Sequence, residues 1–191
     1  MFISYNEACA RDCSTLEQDL VLCEKAGFDY IEIRLDMLTD YLKRHTVEEL
    51  AAFFCTSRLK PHAFNALYLY PEFLSEGDDE ARQKELLEEF RLGCEVGRAI
   101  GSHYFIIVPP LQRDPAGGPY TGSWEDTFSN CVRILKELSR RAEPYDMNLC
   151  FELVGFERSS VRSIGQADAV VRAVDRPNVG FVFDSYNLSL I

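Results

Sequence analysis

Hydrophobic and polar residues alternate along this chain in two periods, one typical of strands and one typical of helices. Short apolar or alternating runs predict six strands, at 2–6, 29–35, 60–69, 103–108, 147–154 and 179–184. Longer patterns with the helical period lie between them, over 14–27, 46–54, 78–100, 123–143 and 163–174. Capping-box patterns at 14–17 and 46–49 mark the beginnings of two of these helices.

Strands that alternate with helices in this order indicate βαβ units and a parallel sheet. No glycine-rich phosphate loop follows the first strand, which argues against the dinucleotide-binding and P-loop folds. Residues 109–122 hold four prolines and three glycines and are predicted to form a long loop. We therefore predict an α/β fold, a parallel (β/α) TIM-type barrel. Because eight units take about 250 residues, we expect one domain over 1–191 with about six units, truncated after the sixth strand.

Composition and charge narrow the classes of partner. The 191 residues are 47% hydrophobic, which suffices for a core. Twenty basic against 31 acidic residues give a net charge of −11, which disfavours a nucleic-acid partner. Seven cysteines, an odd number, indicate reduced thiols. With no apolar run of about 20 residues and no signal-peptide pattern, we predict a cytoplasmic protein without a membrane partner.

Three carboxylates interrupt the apolar strand pattern. Strands buried on both faces are nearly all apolar, yet Glu32, Glu152 and Asp184 stand within or at the end of such runs. A buried carboxylate is costly unless it is paired or binds a cation. Since Glu152 and Asp184 end neighbouring strands, we expect their carboxylates to share one pocket at the carboxyl end of the barrel. Two such oxygen ligands suit a divalent cation, Mn²⁺, Zn²⁺ or Mg²⁺.

Further polar residues are expected at the same end of the sheet, where barrel proteins bind their ligands. Asn65 belongs to the third predicted strand, and Asn187 follows the sixth. Asn187 can hydrogen-bond to a hydroxyl group, but it cannot transfer a proton near neutrality. For Glu32, a structural ion pair with Arg34 is the preferred interpretation and a contact with substrate is the alternative. His62, early in its strand, is assigned a structural role.

Several stretches of the chain resemble one known family, the xylose-isomerase-like barrels. The resemblance is to their sugar phosphate isomerase/epimerase group, and within it to the 2-keto-myo-inositol isomerases. It covers the whole chain and is most specific at 30–34 (Tyr-Ile-Glu-Ile-Arg) and 178–185 (Asn-Val-Gly-Phe-Val-Phe-Asp-Ser). The other stretches that carry it are 6–8, 19–29, 64–67 and 151–155.

The resemblance implies a metal-dependent isomerase that acts on a keto-sugar or a keto-inositol. The family binds one divalent metal through a Glu ending the fifth strand and an Asp ending the sixth, which Glu152 and Asp184 match. The His and second Glu that complete that site have no counterpart within 1–191. Glu152 would also be an acid/base group that moves a proton through an enediolate.

The resemblance also bears on the substrate contacts. Glu157 stands near the place of a substrate-binding Glu, one residue short of the family spacing, and Asn187 stands where many members have His. The candidate substrate-binding residues are therefore Asn65, Glu157, Asn187 and Glu32.

Three alternative functions stay open. The same pocket would serve a ketose epimerase or an inosose dehydratase. A truncated barrel without activity would have a binding or structural role, and its unpaired strand edges favour association, including a homo-oligomer. A metal-dependent apurinic-site nuclease is disfavoured, because the chain has three histidines and a net charge of −11.

Overall fold

The computed structural model describes residues 1–10, 13–69, 80–112 and 118–191. Within these ranges six parallel strands pair in chain order. They are β1 (Ser4–Asn6), β2 (Tyr30–Arg34), β3 (Lys60–Tyr68), β4 (Tyr104–Val108), β5 (Asn148–Glu152) and β6 (Val179–Val182). The helices are α1 (Leu16–Ala26), α2 (Leu35–Tyr41), α3 (Val47–Thr56), α4 (Glu80–Ile100), α5 (Trp124–Ala142), α6 (Ile164–Val174) and α7 (Ser185–Leu188). The predicted parallel α/β architecture with about six units is confirmed.

Local chemistry explains where the elements differ from the sequence prediction. The first capping box pairs Thr15 with Gln18, one residue later than predicted, because the Ser14 hydroxyl instead donates to Asp19 at 2.9 Å. Helix α2 was not predicted, since it follows β2 without a connecting loop. Strand β1 begins at Ser4 rather than at residue 2. Residues 78–79 of the predicted long helix and 113–117 of the predicted loop lie outside the described residues.

The two faces of the sheet have different chemistry. The outer face packs on the helices and carries fully buried apolar side chains such as Ile31, Ile33 and Phe151. The opposite face, here called the inner face, carries a smaller apolar cluster that includes Ile106 and Val108. Alternation along β2 and β5 therefore leaves every second residue on the inner face half-buried. These inner-face positions are the ones open to a ligand.

Helix α4 lies close to the sheet because two glycines face it. A Cβ at Gly93 would overlap the ring of Phe105, and a Cβ at Gly97 would meet Met147. The Phe105 ring packs against Phe90 at 5.1 Å between centroids.

No helix within the described ranges is both long enough and apolar enough to cross a membrane.

The capping box of α3 gives a first prediction. Thr46 Oγ1 accepts a hydrogen bond from the Glu49 N–H at 3.2 Å, and Glu49 Oε2 accepts one from the Thr46 N–H at 2.9 Å. We expect Thr46→Ala to lower the free energy of unfolding by about 1 kcal/mol and the Tm by about 2–4 °C, measured by circular dichroism. Thr56→Ala is the control, because its exposed hydroxyl only bonds to carbonyls of its own helix. Equal losses in both variants would contradict the capping role.

Candidate metal and substrate site

The carboxyl ends of four strands bring four of the predicted residues to the inner face. Glu32 lies on β2, Asn65 on β3 and Glu152 at the end of β5, while Asp184 follows β6 by two residues. Each of these side chains is half-buried. Strands β5 and β6 pair in parallel with Glu152 opposite Val182, so Asp184 lies two residues beyond the level of Glu152 on the neighbouring strand. Both residues therefore stand at the carboxyl ends of neighbouring strands, and their roles in the site stay predictions.

Asn187 joins these two carboxylates. Its Nδ2 donates to Glu152 Oε1 at 2.9 Å and to Asp184 Oδ2 at 3.1 Å. The other oxygen of Asp184, Oδ1, accepts from the Tyr186 N–H at 2.8 Å and so caps α7. Asn187 is only 6% exposed. Both carboxylates consequently direct one oxygen toward the same amide nitrogen.

Glu32 has a different partner from the one preferred in the sequence analysis. Asn65 Nδ2 donates to Glu32 Oε1 at 2.7 Å. The Arg34 guanidinium pairs with Asp36, in the first turn of α2, rather than with Glu32. The interpretation of Glu32 as half of an ion pair with Arg34 is therefore wrong, because β2 ends at Arg34 and the helix that follows supplies a nearer carboxylate.

The buried carboxylates of the site influence one another. The pKa of Glu152 is raised to about 7, chiefly by burial and then by the charges of Asp184 and Glu32, while the hydrogen bond from Asn187 opposes the rise. Burial also raises the pKa of Glu32, against the Asn65 hydrogen bond and the nearby His62. A carboxyl group with a pKa near neutrality can accept and return a proton at physiological pH. Glu152 is therefore the candidate general acid/base of this site.

A model of the family described as xylose isomerase-like TIM barrel matches residues 20–191. This chain belongs to the xylose isomerase-like TIM barrel family. It is 39% identical over 188 residues to an inosose isomerase of Bacillus velezensis, covering 98% of this chain and 63% of that protein. An inosose isomerase of Halalkalibacterium halodurans is 38% identical, with the same two coverages. The chain thus spans 63% of the length of these curated relatives.

Solved structures agree with this family assignment. A crystal structure of IolI protein with a binding zinc atom superposes with a TM-score of 0.84 at 38% identity, covering 98% of this chain and 64% of that chain. A crystal structure of D-psicose 3-epimerase in the presence of D-fructose superposes with a TM-score of 0.76 at 16% identity, covering all of this chain and 65% of that one. At that identity the second likeness concerns the fold alone.

The metal that the family implies can be tested against the residues of this barrel. Glu152 and Asp184 supply hard carboxylate oxygens, one from each directed at the Asn187 nitrogen, and such oxygens suit Mg²⁺ and Mn²⁺ and are also compatible with Zn²⁺. Among the described residues, no group of three or more His, Cys, Asp or Glu side chains is arranged to hold a metal ion. Within the described residues, Glu152 and Asp184 are the side chains that would hold a divalent cation.

Two other residues with predicted roles, Glu157 and His62, have no contact with Glu152 or Asp184 among the hydrogen bonds of the described residues. Glu157 is exposed in the segment after β5, where its backbone carbonyl accepts from the Tyr120 N–H at 3.0 Å. Its contact with a substrate stays a prediction. The His62 ring lies between those of Tyr30 and Tyr104, at 5.5 and 5.7 Å between centroids, which suits the structural role assigned to it.

Glu7, for which the sequence predicted no role, is completely buried. Its Oε2 accepts from the Arg34 N–H at 2.7 Å, and the buried Asp19 carboxylate lies beside it. Burial raises the pKa of Glu7 to about 8. Glu7 directly follows β1 and so belongs to the polar residues at strand ends, as Glu152 does, although no role was predicted for it from the sequence.

Proposed function

We propose that this protein is part of a metal-dependent isomerase that moves a proton between adjacent carbons of a keto-inositol. The observation that carries the proposal is that Glu152 and Asp184 each direct one oxygen at the Asn187 nitrogen, with the pKa of Glu152 raised to about 7. The relatives named inosose isomerases support the substrate class. The similarity to those relatives covers 98% of this chain.

The proposed reaction is a proton transfer through an enediolate. Glu152 removes the proton from the carbon that bears the hydroxyl group, the C–H electron pair becomes the new C=C bond, and the carbonyl π pair moves onto the carbonyl oxygen to give the enediolate. The hydroxyl proton passes to that oxygen, and the hydroxyl oxygen becomes the new carbonyl oxygen as the C=C pair moves to the former carbonyl carbon. The same carboxyl group then returns a proton to the former carbonyl carbon, so the ketone and the alcohol exchange places. A divalent cation held by Glu152 and Asp184 would supply positive charge to stabilise the developing oxyanion.

The remaining candidate residues would orient the ring of the substrate. The Glu32–Asn65 pair offers a carboxylate and an amide to ring hydroxyls on the β2–β3 side of the inner face. Because the Asn187 nitrogen is engaged by the carboxylates, its oxygen is the atom left to accept a hydrogen bond from a hydroxyl. Glu157 would contact the substrate from the segment after β5.

Deuterium exchange tests this function directly. The protein is incubated with 2-keto-myo-inositol and Mg²⁺ or Zn²⁺ in D₂O, and proton NMR follows the carbons next to the ketone. We expect metal-dependent deuterium incorporation together with a positional isomer of the ketone. Heat-unfolded protein with the same metal is the control for spontaneous exchange.

The products separate the related activities. Inversion at one carbon without movement of the ketone would indicate an epimerase, and loss of water would indicate a dehydratase. No exchange above the unfolded control with any of a panel of keto-polyols would contradict an isomerase activity of this chain.

A further inference from the structure

We infer that Asn187 is a positioning residue, which holds Glu152 and Asp184 together before any cation binds. The inference rests on the proposed function, in which these two carboxylates bind the metal. In this role the amide of Asn187 acts on the two carboxylates and not on the substrate.

The Asn187 amide forms hydrogen bonds with both carboxylates. Two carboxylates directed at one point repel each other, and burial strengthens that repulsion. The Asn187 Nδ2 group donates one bond to each of them, at 2.9 and 3.1 Å, so its two N–H groups face the place where their negative charge is concentrated. A neutral donor of this kind keeps both oxygens at a short separation without adding a charge that would repel a cation.

The backbone around Asn187 is held in place by close packing. Helix α7 packs on the segment that follows β5, where a Cβ at Gly155 would overlap the backbone carbonyl oxygen of Asn187 and lie 2.7 Å from the Leu190 Cβ. Backbone atoms cannot rotate away as a side chain can, so only glycine allows this approach. At the other side, the Asp184 cap fixes the beginning of the same helix. The amide is therefore placed from both ends of α7.

Metal titration tests the inference without substrate. Mn²⁺, which thiols bind weakly, is titrated into the wild-type protein and its variants by calorimetry, and electron paramagnetic resonance measures the free ion. Loss of a residue that orients metal ligands costs about 10–100-fold in affinity. We expect a loss of about that size for Asn187→Ala, for Asn187→Leu, which keeps the number and branching of the side-chain heavy atoms, and for Gly155→Ala.

Asn178→Ala is the matched control. Asn178 also donates to two carbonyls, those of Ser139 and Met147, but it lies away from the carboxylates. It should lower stability and leave the Mn²⁺ dissociation constant unchanged. Wild-type affinity in both Asn187→Ala and Asn187→Leu would overturn the inference.

A double-mutant cycle in the absence of metal separates this inference from the proposed function. Unfolding midpoints are compared for Asn187→Ala, Glu152→Ala and the double variant. If the amide holds the carboxylates, the loss in the double variant is smaller than the sum of the single losses. Additive losses would overturn the inference. Non-additive losses in a wild-type protein that binds no Mn²⁺ would leave the positioning role in place and remove the proposed metal chemistry.

Discussion

Replacing Glu152 with glutamine is expected to lower the rate of isomerisation by about 10²–10⁴-fold. Glutamine keeps the shape of the side chain and can still accept the hydrogen bond from Asn187, but it cannot take up a proton from carbon. At saturating metal the effect should fall on kcat, because the variant loses the proton transfer and not the contacts of the substrate with Glu32 and Asn65. Deuterium exchange at saturating substrate measures it.

Glu95→Gln is the matched control for that variant. Glu95 is a surface carboxylate of α4 that pairs with Arg91 at 2.6 Å, far along the chain from the strand ends of the site. Its replacement should leave both the rate and the affinity for Mn²⁺ unchanged. A Glu152→Gln protein with a rate close to that of the wild type would show that another group moves the proton.

A second large effect is expected at Glu7, as a change in the pH dependence of stability. Its pKa is about 8 in the folded protein against an ordinary value of 4.5, chiefly because of burial. The native state therefore binds a proton that the unfolded chain releases. The stability from this proton is complete below about pH 4.5 and is lost as the pH rises through about 8. By linkage the loss is on the order of 3–5 kcal/mol.

Glu7→Gln should abolish most of this loss. The glutamine oxygen can accept from the Arg34 N–H, and its amide can donate to Asp19 as the protonated Glu7 would. Urea unfolding at about pH 5.5 and about pH 9 measures the difference. We expect similar stabilities at the lower pH and a more stable variant at the higher one.

The groups around Glu7 and a surface control make that result specific. Asp19 is present in both proteins, and burial keeps the pKa of Cys23 at about 11 and that of Tyr5 raised, so neither ionises in this range. Glu48→Gln, at an exposed position of α3, should follow the wild type at both pH values. Parallel losses in Glu7→Gln and wild type between the two pH values would contradict a protonated Glu7.

The strand order and the central pair of carboxylates were accessible from the sequence because both depend on local rules. Alternation of side chains identified each strand, and the carboxyl end of a parallel strand identified Glu152 and Asp184. Helix α2 was not predicted, because a helix is recognised in a sequence by a preceding loop and a capping residue. Strand β2 passes directly into α2, and the Arg34 side chain makes no cap hydrogen bond.

The contacts within the site were not accessible in the same way, because they depend on packing between distant segments. The bond between Asn65 and Glu32 requires the register of β3, which shifts against β2 between Ile31 and Glu32. From the sequence, Asn187 was expected only to contact a hydroxyl group of the substrate. Its bonds to the carboxylates were not predicted, because no pattern in the sequence shows that α7 approaches Gly155 closely.

The separation of the two faces of the sheet has a consequence for how such a barrel changes over evolution. Phe151 and Leu149 face the helices and hold the fold together, while Cys150 and Glu152, their immediate neighbours, face the other way. A substitution that alters the chemistry of the inner face therefore leaves no hole among the side chains that pack on the helices. New substrate preferences can accumulate on one side of a strand while the opposite side continues to specify the same scaffold.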